Sequence, residues 1–448
     1  MISNLRYFLT SRDSTNRLAE QESPSVPTQG SEADVTILTD SAVAFQTHLG
    51  FGGAFTEAAA VTLNKLGLEN RALILKACFD PKHGLGYTLC RTHINSCDFS
   101  LGNYANVERD GDVGLEGFSL EREKKSLLPM IHAAAELAEN GLTLFASPWS
   151  PPAWMKTNGE MNHGGKLKPE YRAAWAEYYV RYIREMEKEG VPIWGITVQN
   201  EPAAVQKWDS CIYSAEEESD FVRDHLGPAL ERAGLGRIKV IIWDHNRDHL
   251  IHRARVAYHD PAAAKYIWGA GFHWYGPDKF DNVRLLHDAW PDKHLLFTEG
   301  CQEGGPHTGE WALGERYARS IINDLNRWTE GWVDWNLLLD ETGGPNHVGN
   351  LCSAPILADT RSDKVLFQSS YYYIGHFSRF IRPGARRVLC ATTSDTIEAT
   401  AYRNLDGSVV TVVCNPCDAA ATIKLDYGTN SAESELPAHS IATFVLKN

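Results

Sequence analysis

Two glutamates raise the question of chemistry. Glu201 closes the run Val198-Gln199-Asn200-Glu201-Pro202, and Glu299 closes Phe297-Thr298-Glu299-Gly300. Each follows a short apolar stretch, and Pro202 or Gly300 then turns the chain away. A carboxyl pair facing across a sugar-sized gap is what hydrolysis of a glycosidic bond needs. One acid protonates the departing oxygen, and the other attacks the anomeric carbon or activates water. Asn-Glu-Pro alone is equally satisfied by a solvated turn; the second glutamate, three apolar runs later, makes the catalytic expectation. Aromatic content points the same way, with 13 Trp, 17 Tyr and 16 Phe. Several Trp sit beside turn residues and acids, in SPWSPPAW, FHWYG and VDWN. Such faces at loop mouths pack against the apolar faces of sugars, and core packing is the alternative for any one of them.

For distant carboxyls to meet, the intervening chain must form a regular scaffold. Eight apolar runs recur: His48–Phe55, Tyr87–Asn95, Leu142–Ser150, Ile193–Pro202, Ile238–Asn246, Ile267–Gly276, His294–Gly300 and Gly331–Asp340. Continuous apolar runs suit strands buried on both faces. Stretches of helical period separate them, at Leu120–Asn140, Pro169–Gly190 and Ala215–Gly227, the last with the acidic first turn AEEE. This alternation predicts an α/β chain with a (β/α)₈ barrel, whose active site lies at the C-terminal strand ends. An open doubly wound sheet is the competing fold, weakened because no GxGxxG follows the first run. After about residue 380 the texture changes to short alternating strands: VLCATTSD, TIEATAYRN, SVVTVVCNP, ATIKLDY and SIATFVLKN, with a hairpin signal at Asp406-Gly407. Residues 1–45 read as a loose arm carrying a strand or two.

Composition excludes several classes. The chain has 448 residues, 43% hydrophobic and 22% charged, with net charge −14. An acidic surface disfavours nucleic acid and anionic lipid as partners. No stretch approaches the ~20 apolar residues of a membrane span. The start, MISNLRYFLTSRDSTNRL, lacks the ~7–15-residue apolar core of a secretory signal. Nine cysteines, an odd number spread over a large chain, fit reduced thiols. The expectation is a cytoplasmic enzyme, with a signal-independent export route as the alternative.

The sequence resembles glycoside hydrolase family 30. The resemblance rests on FGGAFTEAAA (51–60), RTHINSCDFS (91–100), FASPWSPPAWMKTNG (145–159), VQNEP (198–202), FHWY (272–275), FTEGC (297–301), GWVDWNLLLDETGGPNHVGNLCSAPI (331–356) and GHFSRFIRPGARRV (375–388). It implies a TIM barrel joined to an antiparallel β-sandwich made of the C-terminal segment plus N-terminal strands. The expected division is an arm over 1–46, the barrel over 47–378 and the sandwich over 379–448. It also implies retaining β-glycosidase activity, with Glu201 as acid/base and Glu299 as nucleophile. Glu201 must then start protonated, its pKa raised by burial and the nearby anion, while Glu299 stays charged.

Carried over position by position, the resemblance implies that Arg91 stabilises Glu299 and that Tyr275 hydrogen-bonds to it. His273 lies beside them, with a satisfied core histidine as the alternative. Asn200 donates to the sugar 2-hydroxyl, and Asp98, Trp149, Trp335 and Asn350 hold the terminal glucose. Asp98 can accept two hydrogen bonds from neighbouring hydroxyls. Asn350 also fits a turn residue. Asp334 reads as a supporting acid and Glu57 as structural. Cys301 reads as a packing residue whose thiol offers reagents a handle. The lone Cys414-Asn-Pro-Cys417 lacks the further ligands of a zinc site. The run Asp244–Asp248 reads as a polar loop at the cleft rim, with a metal site as the alternative. The loops Gly102–Gly117 and Cys301–Trp311 are expected around the leaving-group entrance.

The expectation is a metal- and cofactor-independent exo-β-glucosidase of glucosylceramidase type, acting on a small-molecule or lipid-linked β-glucoside. A β-1,6-glucan or gentiobiose-type substrate is the first alternative, and β-xylosidase or β-fucosidase action the next. A non-catalytic carbohydrate-binding protein is the alternative from another class.

Overall fold

The computed structural model describes residues 4–25 and 33–447. Residues 1–3 and 26–32 of the expected arm, and residue 448, lie outside the described residues. Strands β1 (Leu5–Ser11), β2 (Ala19–Gln21) and β3 (Val35–Thr47) come first. The next eight are β4 (Gly50–Phe55), β5 (Leu89–Ile94), β6 (Thr143–Pro148), β7 (Ile193–Thr197), β8 (Lys239–Asn246), β9 (Ile267–His273), β10 (His294–Glu299) and β11 (Gly331–Asn336). They pair in parallel, in chain order, and close into a barrel, one strand inside each apolar run. Leu89, Phe145, Ile241, Leu296 and Val333 form one of its buried apolar clusters. Packing is tight enough to require glycine on β4: a Cβ at Gly52 would lie 1.6 Å from the Leu89 carbonyl oxygen.

The helices depart from the sequence reading in instructive places. The Leu120–Asn140 stretch is a 3₁₀ turn at Glu123–Lys125 followed by a helix at Leu127–Leu137. Pro129 lacks an N–H and fits only in a first turn, so the helix starts just before it. The stretch begun at Ala215 does not stop at Gly227. It runs through a π segment, Val222–Leu226, to Arg232. Gly227 is there for packing, since a Cβ would meet the Tyr266 ring at 2.3 Å.

Beyond the barrel, β12 (Leu339–Asp340), β13 (Ile356–Asp359) and β14 (Lys364–Phe367) make a small sheet. The loop 341–355 springs from it and reaches over the barrel mouth. Strands β15 (Arg386–Thr392), β16 (Glu398–Arg403), β17 (Val409–Asn415), β18 (Ala421–Asp426), β19 (Ser431–Leu436) and β20 (Ser440–Leu446) join the arm in a nine-stranded sheet ordered β19-β18-β3-β15-β16-β17-β20-β1-β2. All its pairs are antiparallel except β18 with β3. Leu5 and Tyr7 of β1 share a buried cluster with Ile423 of β18 and Leu436 of β19, and Ser25 bridges Glu433. Opposite edges therefore meet, and the sheet folds into a sandwich. His376, on the helix Ser369–Ser378, ties it to the barrel through Thr10 and Thr443, each at 2.8 Å. No helix among the described residues is long and apolar enough to cross a membrane.

Candidate active site

Irregular backbone aims the chemistry. Pairing of β9 with β10 slips between Phe297 and Glu299, and pairing of β8 with β9 slips between Trp243 and His245. Bulges of this kind redirect a side chain. Trp243 and Asp244 take φ of 72° and 50°, and Glu201, in the loop after β7, takes 47°. Left-handed backbone outside glycine costs about 1–3 kcal/mol per residue. The Glu201 N–H donates to the Asp244 carbonyl at 3.0 Å, so the two strained segments hold one another.

The result is a buried polar cluster at the C-terminal strand ends. Arg91 Nη1 donates to Glu299 Oε2 at 2.6 Å, and Nη2 donates to Asp244 Oδ2 at 2.7 Å and Asn200 Oδ1 at 2.9 Å. Tyr275 Oη donates to Glu299 Oε1 at 2.9 Å. His273 sits between two carboxylates, with Nδ1 3.1 Å from Glu201 Oε1 and Nε2 3.0 Å from Asp244 Oδ1. Glu201, His273 and Glu299 each place one side-chain N or O atom within 4.8 Å of the others. One oxygen of each glutamate thus lies within 4.8 Å of the other, close enough for both to reach a single glycosidic bond.

Above this floor lies a cavity of ≈ 260 Å³. Glu201, Glu299, Asp98, Trp149, Asn200, Tyr275, Trp335 and Asn350 all line it, while Arg91 and His273 lie beneath. Trp149 and Trp335 stack on each other with centroids 5.0 Å apart, giving an apolar wall. Asp98 receives hydrogen bonds from Asn350 at 3.1 Å and Asn346 at 3.3 Å, both on the loop 341–355. On the Glu201 side the lining is Gln206, Trp208, His245 and Glu303.

Comparison with known proteins decides the family. Residues 48–381 match the glycosyl hydrolase family 30 TIM-barrel domain, and residues 384–444 match the family 30 beta sandwich domain. The chain belongs to glycosyl hydrolase family 30. It is 36% identical to the lysosomal acid glucosylceramidase of Mus musculus over 424 residues, 90% of this chain and 82% of that one. Among solved structures, SrfJ from Salmonella typhimurium superposes with a TM-score of 0.94 at 38% identity, covering 99% of this chain and all of that one. An endo-β1,6-glucanase superposes with a TM-score of 0.89 at 29% identity, covering 99% of each chain. Family 30 membership makes the protein a glycoside hydrolase.

The electrostatics of this family 30 site correct one expectation. Burial raises Glu201, but His245 and His273 outweigh it and hold the carboxyl below its ordinary value. Burial pushes Glu299 up against the pull of His273 and Arg91. The order is the reverse of the expected one, because the imidazole lies on the Glu201 side. His273 is depressed by burial, yet Glu299, Asp244 and Glu201 together push it up to about 9. It therefore carries the proton in the resting site. Asp98 is pushed up to about 8, chiefly by burial. The Glu201–His273–Glu299 spacing could span a cation, but a guanidinium and an imidazolium already supply positive charge there.

Asp244 was misplaced by the sequence reading. It is no rim residue but a buried member of β8, bonded to Arg91, His273 and, at 2.7 Å, Thr197. Its run gathers no metal ligands among the described residues: Arg247 pairs with Asp324, and Asp248 turns back to the His249 N–H. The criterion that selected both glutamates, an acid at the end of a barrel strand, would have found Asp244. Asp334 faces away from the cavity, where Tyr317 donates to it at 2.8 Å. Glu57 is held bidentately by Arg122 at 2.9 Å. The loop Gly102–Gly117 lines no part of the catalytic cavity; Asn103 to Asp110 border a separate groove with Trp154. Cys301 and Glu303 of the other expected loop do line it.

Proposed function

We propose that the protein is a retaining exo-β-glucosidase of glucosylceramidase type. Glu299 attacks the anomeric carbon, Glu201 protonates the glycosidic oxygen, and water then releases the sugar with Glu201 as base. The observation that carries the reading is the carboxyl pair, with oxygens within 4.8 Å at one small cavity. Arg91 and Tyr275 keep Glu299 ionised and oriented. His273 Nδ1 lies 3.1 Å from Glu201 Oε1, and its proton passes to that oxygen as the leaving oxygen draws proton density. Asn200, held by Arg91, faces the 2-hydroxyl, and Asp98 takes the far hydroxyls. The cavity is smaller than the ~300–1,000 Å³ of clefts for drug-sized ligands, which suits one terminal sugar. The glucosylceramidase relative supports glucose as that sugar.

A second reading, a β-1,6-linked glucose substrate, is favoured by the polar leaving-group side. Gln206, Trp208, His245 and Glu303 suit a hydroxylated aglycone. The similarity to an endo-β1,6-glucanase points the same way.

The test is covalent trapping with a 2-deoxy-2-fluoro β-glucoside carrying an activated leaving group. The label should fall on the Glu299 peptide, and the first product anomer of an ordinary aryl glucoside should be β. Label elsewhere, or an α product, would overturn the mechanism. Rates on glucosylceramide in detergent against gentiobiose and short β-1,6-glucans separate the two leaving groups.

A further inference from the structure

Two thiols that catalysis leaves idle line the same cavity. Cys301 lies two residues beyond Glu299, and Cys352 lies on the loop 341–355; both belong to the cavity wall and both are 1% exposed. Both side chains belong to one buried cluster with Trp149 and Trp335. Cys301 Sγ is 3.4 Å from Tyr275 Oη, the donor to Glu299. Cys352 Sγ is 3.7 Å from the carbonyl oxygen of Asn350, whose side chain holds Asp98. The pair therefore joins the nucleophile's side of the site to the side that would hold hydroxyls.

Backbone register determines what the pair can do. Glu303 and Cys352 are antiparallel bridge partners, and Ser353 N–H donates to the Gln302 carbonyl at 2.8 Å. Cys301 is thus diagonal to Cys352 rather than opposite it. Diagonal neighbours sit ~7–8 Å apart, beyond the usual ~4.4–6.8 Å Cα spacing of a disulfide. Both cysteines are free. A direct sulfur–sulfur bond would need backbone movement, whereas one intervening atom would not. Burial also pushes the Cys301 thiol well above its usual value, so it is a poor target for reagents needing a single thiolate.

The geometry points to a paired-thiol site in the wall of the catalytic cavity, which chelates a thiophilic centre, arsenic(III) or a soft cation of the Cu(I) class, and blocks hydrolysis when filled. The inhibition rests on the reading that this cavity holds the terminal glucose; the chelation does not. With an organoarsenic(III) oxide, two As–S bonds form, the arsenic–oxygen bond breaks, and both thiol protons leave with the oxygen as one water. Arsenic stays trivalent, so no oxidant is consumed.

Phenylarsine oxide on the full chain tests this, read by intact mass, peptide mapping and an aryl β-glucoside assay. The expected result is one arsenical per chain bridging the Cys301 and Cys352 peptides, loss of most activity, and protection by glucose. Recovery should come with 2,3-dimercaptopropanol and not with a monothiol. Cys352→Ala, measured against its own untreated rate, should lose both the stoichiometric adduct and the sensitivity. Equal labelling of Cys352→Ala, or an adduct on Cys414 and Cys417 instead, would overturn the site. A wild-type chain that turns over no β-glucoside but still takes the bridging adduct would overturn the functional reading and leave the thiol site standing.

Discussion

Replacing Tyr275 by Phe tests whether Glu299 is the ionised group on which turnover depends. The phenol donates to Glu299 Oε1 at 2.9 Å, and Arg91 holds the other oxygen at 2.6 Å. Removing the hydroxyl leaves the ring in place and deletes one hydrogen bond to a charged acceptor, worth about 1.5–3 kcal/mol. That bond favours the carboxylate over the carboxylic acid. Its loss raises the Glu299 pKa, which burial already pushes up, by about one to two pH units at ~1.36 kcal/mol per unit. The acid limb of kcat/KM must then move to higher pH by that amount, while the plateau rate falls less. Arg91 still orients the carboxylate, and Phe fills the same space, so the melting temperature should change little. The assay is kcat/KM on an aryl β-glucoside across the acid and neutral range, with a thermal melt alongside. An acid limb that stays put while the plateau is intact would refute the assignment of Glu299 as the titrating nucleophile. Movement of the basic limb alone would do the same.

Other substitutions probe the remaining roles. Glu299→Gln should lose nearly all turnover and keep its melting profile; substantial activity would exclude Glu299 as nucleophile. Glu201→Ala should slow poor leaving groups far more than activated ones, and added azide should restore turnover with a β-glucosyl azide product; an α azide would mean the two glutamates exchange roles. Arg91→Met strands Asp244 and Glu299 without their cation, and breaking a buried pair costs about 3–5 kcal/mol, to be read by urea unfolding. His273, raised from 6.5 to about 9, contributes stability that is complete below pH 6.5 and lost as pH rises through about 9. His273→Gln should flatten that alkaline decline, and an unchanged stability profile would show that the imidazole is not the group responsible.

Much of this was legible in the residues because it depends on local pattern. Eight apolar runs became eight barrel strands since strands buried on both faces leave a continuous apolar trace. Glu201 and Glu299 stood out because each ends such a run. What escaped depends on contacts across the barrel. Asp244 lies near the end of the fifth apolar run, where the strand-end criterion applies, but the charged residues after it look like solvent-facing loop; its partners in the floor are set by the bulge at Trp243–His245. Asn346 reaches Asp98 across 248 residues of chain. Strand β19, SAESEL, reads as polar linker because it is an edge whose outer row is charged, the usual guard against pairing with another chain.

The balance of buried charges gives Asp244 a part in the proposed reaction without contact with the sugar. Glu201, Glu299 and Asp244 bring three potential negative charges, and Arg91 one fixed positive charge. One further proton is needed to approach balance, and its position decides the chemistry. Asp244 accepts from His273 Nε2, while Glu201 lies at Nδ1. With a carboxylate at each nitrogen, the doubly protonated ring is the form that satisfies both. Asp244 thereby keeps a proton aimed at Glu201, and Arg91, shared between Asp244 and Glu299, keeps it from Glu299. Asp244→Asn removes that bias. It should lower the basic limb of the pH–rate profile toward the ordinary histidine range, with kcat falling more than KM rises, because the change acts on proton delivery rather than sugar binding. A basic limb unchanged in Asp244→Asn would mean that the acid proton is held on Glu201 itself.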